Sequence, residues 1–341
     1  MIVVIADDLS GAAELACIAV QHGLTAEVQT RFDPNGRSDV IAIDTKTRAG
    51  TPDQAAETIR NVTAQVARAM PTWIYKKTDS VFRGNPRAEI LTMLACLDKS
   101  ECIYVPANPS MARTIVDGRY YIDGVPLHET EFGFDPCHPM KTNVIDEIMP
   151  PTPCIRIPNI ASLRDMPNHI GNALPAGGSD FFASLLDSLP SRTTRCSPLS
   201  EYVLFVCGSH HAWRNHRNSE MTERGFLVVD GKTAMPDGAW QNNKRIMLAV
   251  GEIGCDDRDE CLTQLIQRAI RLALEKPTAL ILLEGGETAR AFVDAMKWSR
   301  FEAINTGIRG AACFSTPSGS IIAFKPGSYP WPKELFLYGE R

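Results

Sequence analysis

The sequence contains little that would commit it to a membrane, a metal or a nucleic acid. No uncharged stretch of its 341 residues approaches the ~18 needed to span a bilayer, and its first apolar run, residues 1–6, is too short for a signal peptide. A cytoplasmic protein with no membrane partner is expected. Positive charge is not in excess: 35 Lys and Arg against 40 Asp and Glu give a net charge of -5. That balance argues against nucleic-acid binding through a general basic surface, yet it leaves room for local cationic pockets that hold small anions. The ten cysteines stand singly, with no CxxC, and read as reduced structural thiols. HExxH, GxSxG, GxxxxGK[ST] and GxGxxG are all absent. Structural zinc, a serine nucleophile elbow, a Walker A loop and a standard dinucleotide fingerprint are disfavoured accordingly.

What is present is an ordinary globular composition, 44% hydrophobic and 22% charged, in a chain long enough for two domains. Short β-branched runs, MIVVIA (1–6) and DVIAID (39–44), alternate with helical periodicity over Ser10–His22, 51–69 and 86–97 and with further strands at 72–77 and 102–107. This rhythm predicts a mostly parallel sheet covered on both faces, with ligands beyond the carboxyl ends of its strands. Residues 117–160 read as irregular, 177–189 as a turn feeding a helix, and the polar segment 190–200 as a boundary. The second half restarts with a strand at 201–210, helices near 213–224 and 258–275, a long apolar run at 279–296 and a last strand at 320–331. The expectation is two α/β domains, 1–195 and 196–341, with mostly parallel sheets facing each other across a cleft.

Three segments of the first half concentrate chemistry. Asp7 and Asp8 follow the first strand directly; Asp7, Asp8 or Ser10 can cap the next helix, and a remaining carboxylate can accept hydrogen bonds from a polyol or coordinate Mg²⁺. KKTDSVFRGN (76–85) packs Lys76, Lys77, Thr78, Asp79, Ser80 and Arg83 behind a strand, the Arg offering a planar fork for a carboxylate and Lys77 a mobile point charge. Beyond it stand Arg113, Asp117, Arg119, Tyr120, Glu129, Thr130 and Asp135, while His128 and His138 lack any metal-ligand spacing. In the second half, CGSH (207–210), GGETA (285–289) and KPGSYPW (325–331) each put small residues behind a strand, where backbone N–H groups can wrap phosphate oxygens.

Together these segments resemble the four-carbon acid sugar kinases. The resemblance is carried by ADDLSGAAELA (6–16), KKTDSVFRGNPRAEI (76–90), DGRYYIDGVPLHETEFGFDP (117–136), GGSDFFA (177–183), CGSH, EGGETA (284–289) and FKPGSYPW (324–331), and runs nearly end to end. It implies an N-terminal sugar-acid domain, a C-terminal ATP domain, and Mg²⁺-dependent transfer of phosphate to the terminal 4-hydroxyl of threonate, erythronate or a 3-oxo-tetronate. By resemblance, Asp7, Asp8, Lys77, Asp79, Ser80 and Arg83 form the acid-sugar site, with Arg83 or Lys77 on the carboxylate and Asp7, Asp8 or Asp79 on the attacking hydroxyl. Gly208, Ser209, Gly285, Gly286, Glu287, Thr288 and Gly327 form the nucleotide site; metal ligands are unassigned. The implied partners are ATP and a small anionic sugar acid, with a homodimer as an option. Kinases of other sugar acids or polyols, and a non-catalytic sugar-acid-binding descendant, are the competing readings.

Overall fold

The computed structural model describes all residues except 136–137, 190–196, 198, 210–212, 214–217, 232, 252–257, 307, 309–310, 325–330, 333–334 and 336–341. The chain forms two compact units, Met1–Thr193 and Thr194–Arg341.

The first unit contains, in chain order, β1 (Ile2–Ala6), α1 (Leu9–Gln21), β2 (Ala26–Gln29), β3 (Val40–Asp44), α2 (Pro52–Arg68), β4 (Trp73–Lys77), α3 (Pro86–Leu97), β5 (Cys102–Val105), β6 (Arg113–Val116), β7 (Arg119–Ile122), β8 (Val125–Pro126), α4 (Ile145–Ile148), β9 (Ile155–Arg156), β10 (Leu174–Gly177) and α5 (Ser179–Leu186). Its main sheet runs β2-β3-β1-β4-β10-β5-β9, parallel throughout. All five residues of β1 are buried, as a central strand covered on both faces requires.

Local sequence explains the helix starts. Asp8, not Ser10, caps α1: its backbone is extended and its Oδ1 accepts from the Gly11 N–H at 2.7 Å. Thr51 and Gln54 form a reciprocal capping box on α2, with Pro52 at the first helical position. Asn85 precedes Pro86 and α3 but makes no cap bond. Its Nδ2 instead donates to the carbonyls of Thr47 (3.2 Å) and Gly50 (2.9 Å), bracing the loop after β3.

The second unit contains β11 (Val203–Cys207), α6 (Asn218–Glu223), β12 (Leu227–Val229), α7 (Ala239–Asn242), β13 (Arg245–Ala249), α8 (Arg258–Glu275), β14 (Leu280–Glu284), α9 (Gly286–Ala295), β15 (Arg300–Ala303), β16 (Ala312–Ser315) and β17 (Ile321–Phe324). Its strands run β12-β13-β11-β14-β17-β16-β15, with β16 antiparallel to both neighbours and the pairs from β12 to β17 parallel. Phe301, Phe314 and Phe324 stack with centroids 5.2–5.7 Å apart across this sheet.

The α/β character and the mostly parallel pairing agree with the alternating pattern. The run 279–296 divides into β14 and α9 at Gly285, φ 103, in line with the small residues read behind a strand at GGETA. Two local readings need correction. The stretch expected to be irregular from 117 builds the antiparallel sheet β6-β7-β8, whose turns are closed by Asp117-Gly118 and Asp123-Gly124, all at positive φ. Cys261 is disulfide-bonded, while Cys17, Cys96, Cys102, Cys154, Cys207 and Cys313 are free thiols. Sequence spacing tests only for CxxC, whereas a bridge needs proximity in space.

Candidate active site

Parallel register places five strand ends of the first unit side by side. Ala6 pairs with Asp44 and with Lys77, Gly177 pairs with Lys77, and Val105 pairs with Gly177. The segments leaving β3, β1, β4, β10 and β5 therefore share one edge, the location at which open parallel sheets bind ligands.

The centre of that edge is Arg48, in the loop after β3. Its Nε and Nη2 donate to the two oxygens of Asp7 at 2.9 Å each, a two-pronged pair, and its Nη1 donates to Asp8 Oδ2 at 2.6 Å. The same Nη1 lies 3.7 Å from Asp79 Oδ2. The backbone N–H groups of Thr47 and Arg48 both donate to the Asp7 carbonyl, fixing the loop to the end of β1.

Asp79 organises the next segment. Its Oδ1 accepts from the N–H groups of Val81 (2.9 Å) and Arg83 (3.3 Å), and its Oδ2 from Arg83 Nη2 (2.8 Å) and Nε (3.2 Å). This tight turn holds Phe82 at φ 63, an unusual conformation for a bulky residue. The Phe82 ring packs between Tyr104 and Tyr120, in edge-on contacts at 5.9 and 5.6 Å, while the Arg83 side chain stays about a third exposed. Arg83 also lies 3.6 Å from Asp135, and both Arg83 and Arg113 sit over the Phe132 ring, at 5.5 and 5.6 Å. Arg113 donates to Ser80 Oγ.

Electrostatics divide the carboxylates. Burial would raise Asp7, but Arg48, supported by Lys76, outweighs it and holds Asp7 below the ordinary aspartate range. Asp79 likewise overcomes burial through Arg48 and Arg83 and is lowered. Asp8 goes the other way: burial raises it, Asp7 adds to the rise, and Arg48 and Lys77 offset this only in part. Arg48 itself is raised well above its usual value, since its three acidic neighbours outweigh its own burial.

Of the residues expected here, Asp7, Asp8, Asp79 and Arg83 meet around Arg48. Lys77 is buried beside them, paired with Glu14 at 3.2 Å and donating to the Thr78 carbonyl at 3.1 Å, so it is more enclosed than a mobile charge. Ser80 faces Arg113, and Lys76 lies behind the sheet edge in a fully buried pair with Glu89. Arg48 was not among the expected residues, although TKTRAG follows DVIAID just as ADDLSG follows MIVVIA, and the strand-end argument applies equally to it. Chemically, the edge offers anionic acceptors for hydroxyl groups and, in Arg83, a partly exposed guanidinium for an anionic end.

In the second unit, β11 and β14 pair with Cys207 opposite Glu284, which brings the turns after them together. A Cβ on Gly208 would collide with Thr288 Oγ1, so the two turns approach as only glycine permits. Gly285 stands at the N-cap of α9 with φ 103 and no side-chain cap bond. Gly286, Glu287 and Thr288 form the first turn of that helix. Ser209 follows Gly208, and Cys207 Sγ lies 3.7 Å from its carbonyl. The two turns therefore meet at the start of α9. Gly327 lies outside the described residues.

Residues 2–176 match the family model described as a sugar-binding N-terminal domain. The chain is similar to the D-threonate kinase of Salmonella typhimurium, 35% identical over 150 residues, which are 43% of this chain and 36% of that relative. It is similar to the D-erythronate kinase of Heliobacterium modesticaldum, 35% identical over 158 residues, 43% of this chain and 35% of the relative. The aligned region thus spans about a third of the length of these curated relatives. In fold, the chain resembles a crystal structure of a Haemophilus influenzae protein, with a TM-score of 0.76 at 18% identity, covering 99% of each chain. Among the described residues, no helix is long and apolar enough to cross a membrane.

Proposed function

The chain belongs to the family of the four-carbon acid sugar kinases, whose sugar-binding N-terminal domain its residues 2–176 match, and from that premise we propose that it phosphorylates the terminal 4-hydroxyl of threonate, erythronate or a 3-oxo-tetronate with ATP. The reading is carried by one arrangement: the carboxylates of Asp7, Asp8 and Asp79 gathered around Arg48, with Arg83 paired to Asp79 beside them. A sugar acid has hydroxyls along its length and a carboxylate at one end. The acidic groups suit the hydroxyls, and Arg83, about a third exposed, is a better partner for the carboxylate than the enclosed Lys77. Ser80, buried and held by Arg113, adds a hydroxyl to the same segment.

The second unit's cradle of Gly208, Ser209 and Gly285–Thr288 is assigned to the phosphates of ATP, because backbone N–H groups at a helix start match phosphate oxygens without a Walker A lysine. Among the described residues, no group of three or more His, Cys, Asp or Glu is placed to hold a metal ion. Mg²⁺ would enter with the nucleotide, where it would supply charge compensation at the phosphates. Phosphoryl transfer asks a protein mainly for alignment and electrostatic balance, and the locked side chains of the first unit provide alignment of the acceptor.

The test is an ADP-release screen with Mg-ATP against D- and L-threonate, D- and L-erythronate and the 3-oxo-tetronates, with five- and six-carbon acids as controls. Turnover confined to four-carbon acids is expected. Binding of a sugar acid by thermal shift without ADP release from any of them overturns the kinase reading.

A further inference from the structure

We propose that Asp8 takes the proton from the attacking hydroxyl, while Asp7 and Asp79 act as positioning residues for Arg48 and Arg83. The proposal rests on the kinase reading above and divides three carboxylates that the sequence leaves equivalent. Asp7 is closed in: both oxygens are gripped by one guanidinium and its side chain is only 4% exposed. Asp79 is closed in as well, with two backbone N–H groups and Arg83 on its oxygens and 7% exposure. Asp8 is the open one, 24% exposed, with a single bond to each oxygen, from the Gly11 N–H and from Arg48 Nη1. A carboxylate oxygen has two acceptor sites, so each Asp8 oxygen keeps one for a hydroxyl.

The charges around Asp8 suit a proton acceptor. Asp7 adjoins it on the same turn, Arg48 reaches it from the loop after β3, and Lys77 approaches from the end of β4. Glu14, on α1, pairs with Lys77, and Asp79, 3.7 Å from the same Arg48 Nη1 that binds Asp8, is itself paired with Arg83. Burial and Asp7 lift Asp8 above an ordinary aspartate, whereas its two neighbours are lowered. A base with a raised value accepts a proton more readily than one held down by a cation.

In the step itself, the hydroxyl O–H bond breaks and its proton passes to Asp8. The oxygen's electron pair forms a bond to the γ-phosphorus of ATP, and the bond from that phosphorus to the β–γ bridging oxygen breaks, its electron pair leaving with ADP. The proton on Asp8 is released to solvent after the product departs.

The experiment compares full-length wild type, Asp8→Asn and Asp8→Glu in the ADP-release assay across pH, with sugar-acid binding followed by thermal shift. Asn keeps an oxygen for the Gly11 N–H, so the α1 cap and the fold are retained. Asp8→Asn is expected to lose at least roughly 100-fold in kcat, with a smaller change in sugar-acid affinity. Wild-type kcat should fall as pH drops through the raised value of Asp8. Asp8→Asn should flatten that acidic limb, and Asp8→Glu should retain a limb at a displaced pH. An active wild type whose limb persists unchanged in Asp8→Asn, or whose kcat drops less than about threefold, overturns the assignment while leaving the kinase reading intact. A wild type that turns over no acid on the panel fails the kinase reading, and the role of Asp8 falls with it.

Discussion

At the ends of β1, β3 and β4 the first unit presents long charged side chains, whereas at the ends of β11 and β14 the second presents glycine and short hydroxyl residues. The same position in a parallel sheet is used in opposite ways. Charged side chains are mobile and costly to bury, so the first unit immobilises them against each other: Arg48 on Asp7 and Asp8, Arg83 on Asp79, Lys77 on Glu14. Backbone N–H groups arrive already fixed in their peptide planes. The second unit needs only the absence of a Cβ for its turns to close on one another. One region is therefore broken by removing a charge, the other by adding a methyl group.

The largest effect is expected from Arg48→Ala. It leaves Asp7 buried without its main counter-charge, which should cost about 3–5 kcal/mol in urea denaturation and abolish turnover. The pH dependence has a definite sign. In the wild type Asp7 lies below its unfolded value, so its contribution to stability is present above about pH 4 and is lost as pH falls through the folded value. In the variant burial is opposed only by Lys76 and should raise Asp7, so the penalty is full at neutral pH and is relieved as pH falls. The stability gap between the two proteins should narrow from pH 7 toward pH 4; a constant gap would show that Arg48 acts by packing alone.

Next comes Arg83→Ala, whose charge-assisted bonds are worth about 1.5–3 kcal/mol. KM for the sugar acid should rise roughly 10- to 100-fold while KM for ATP stays unchanged. A selective loss of ATP affinity would move Arg83 out of the acid-sugar site. Gly208→Ala is the counterpart in the second unit. The added methyl meets Thr288, and overpacking of this kind costs about 1–3 kcal/mol, here expected chiefly as weaker ATP binding with sugar-acid binding unaltered. Thr288→Ala in the same chain removes the colliding hydroxyl and should restore part of the loss.

The comparison also explains what could be read from the sequence. Asp7, Asp8, Asp79 and Arg83 were legible because they crowd behind β-branched runs, where an idle loop has no need of such variety. The turns at Gly208 and Gly285 were legible because small residues break strong strands. Arg48 was not, since TKTRAG looks like any polar loop until strand register sets it beside ADD. The small sheet β6-β7-β8 was missed for a related reason. Its strands are short and rich in Gly and Asp at their turns, so residue composition there resembles irregular chain while the pairing is regular. The roles of the three carboxylates are a matter of which oxygen meets which cation, and only the folded geometry distinguishes them.

The smallest effect offers the finest test of how the charged loop is held. Thr51 and Asn85 both stand at helix starts near Arg48, and the loss of either should cost about 1 kcal/mol. Thr51 caps α2 through Gln54 and bonds nothing in the loop before it. Asn85 gives up its cap to tie the carbonyls of Thr47 and Gly50, the residues that flank Arg48. If the first unit works by immobilising charge, equal losses of stability should have unequal consequences: Asn85→Ala should lower kcat severalfold and Thr51→Ala should leave it unchanged. Equal kinetic effects would mean that Arg48 is placed by the carboxylates alone, with the brace contributing only to stability.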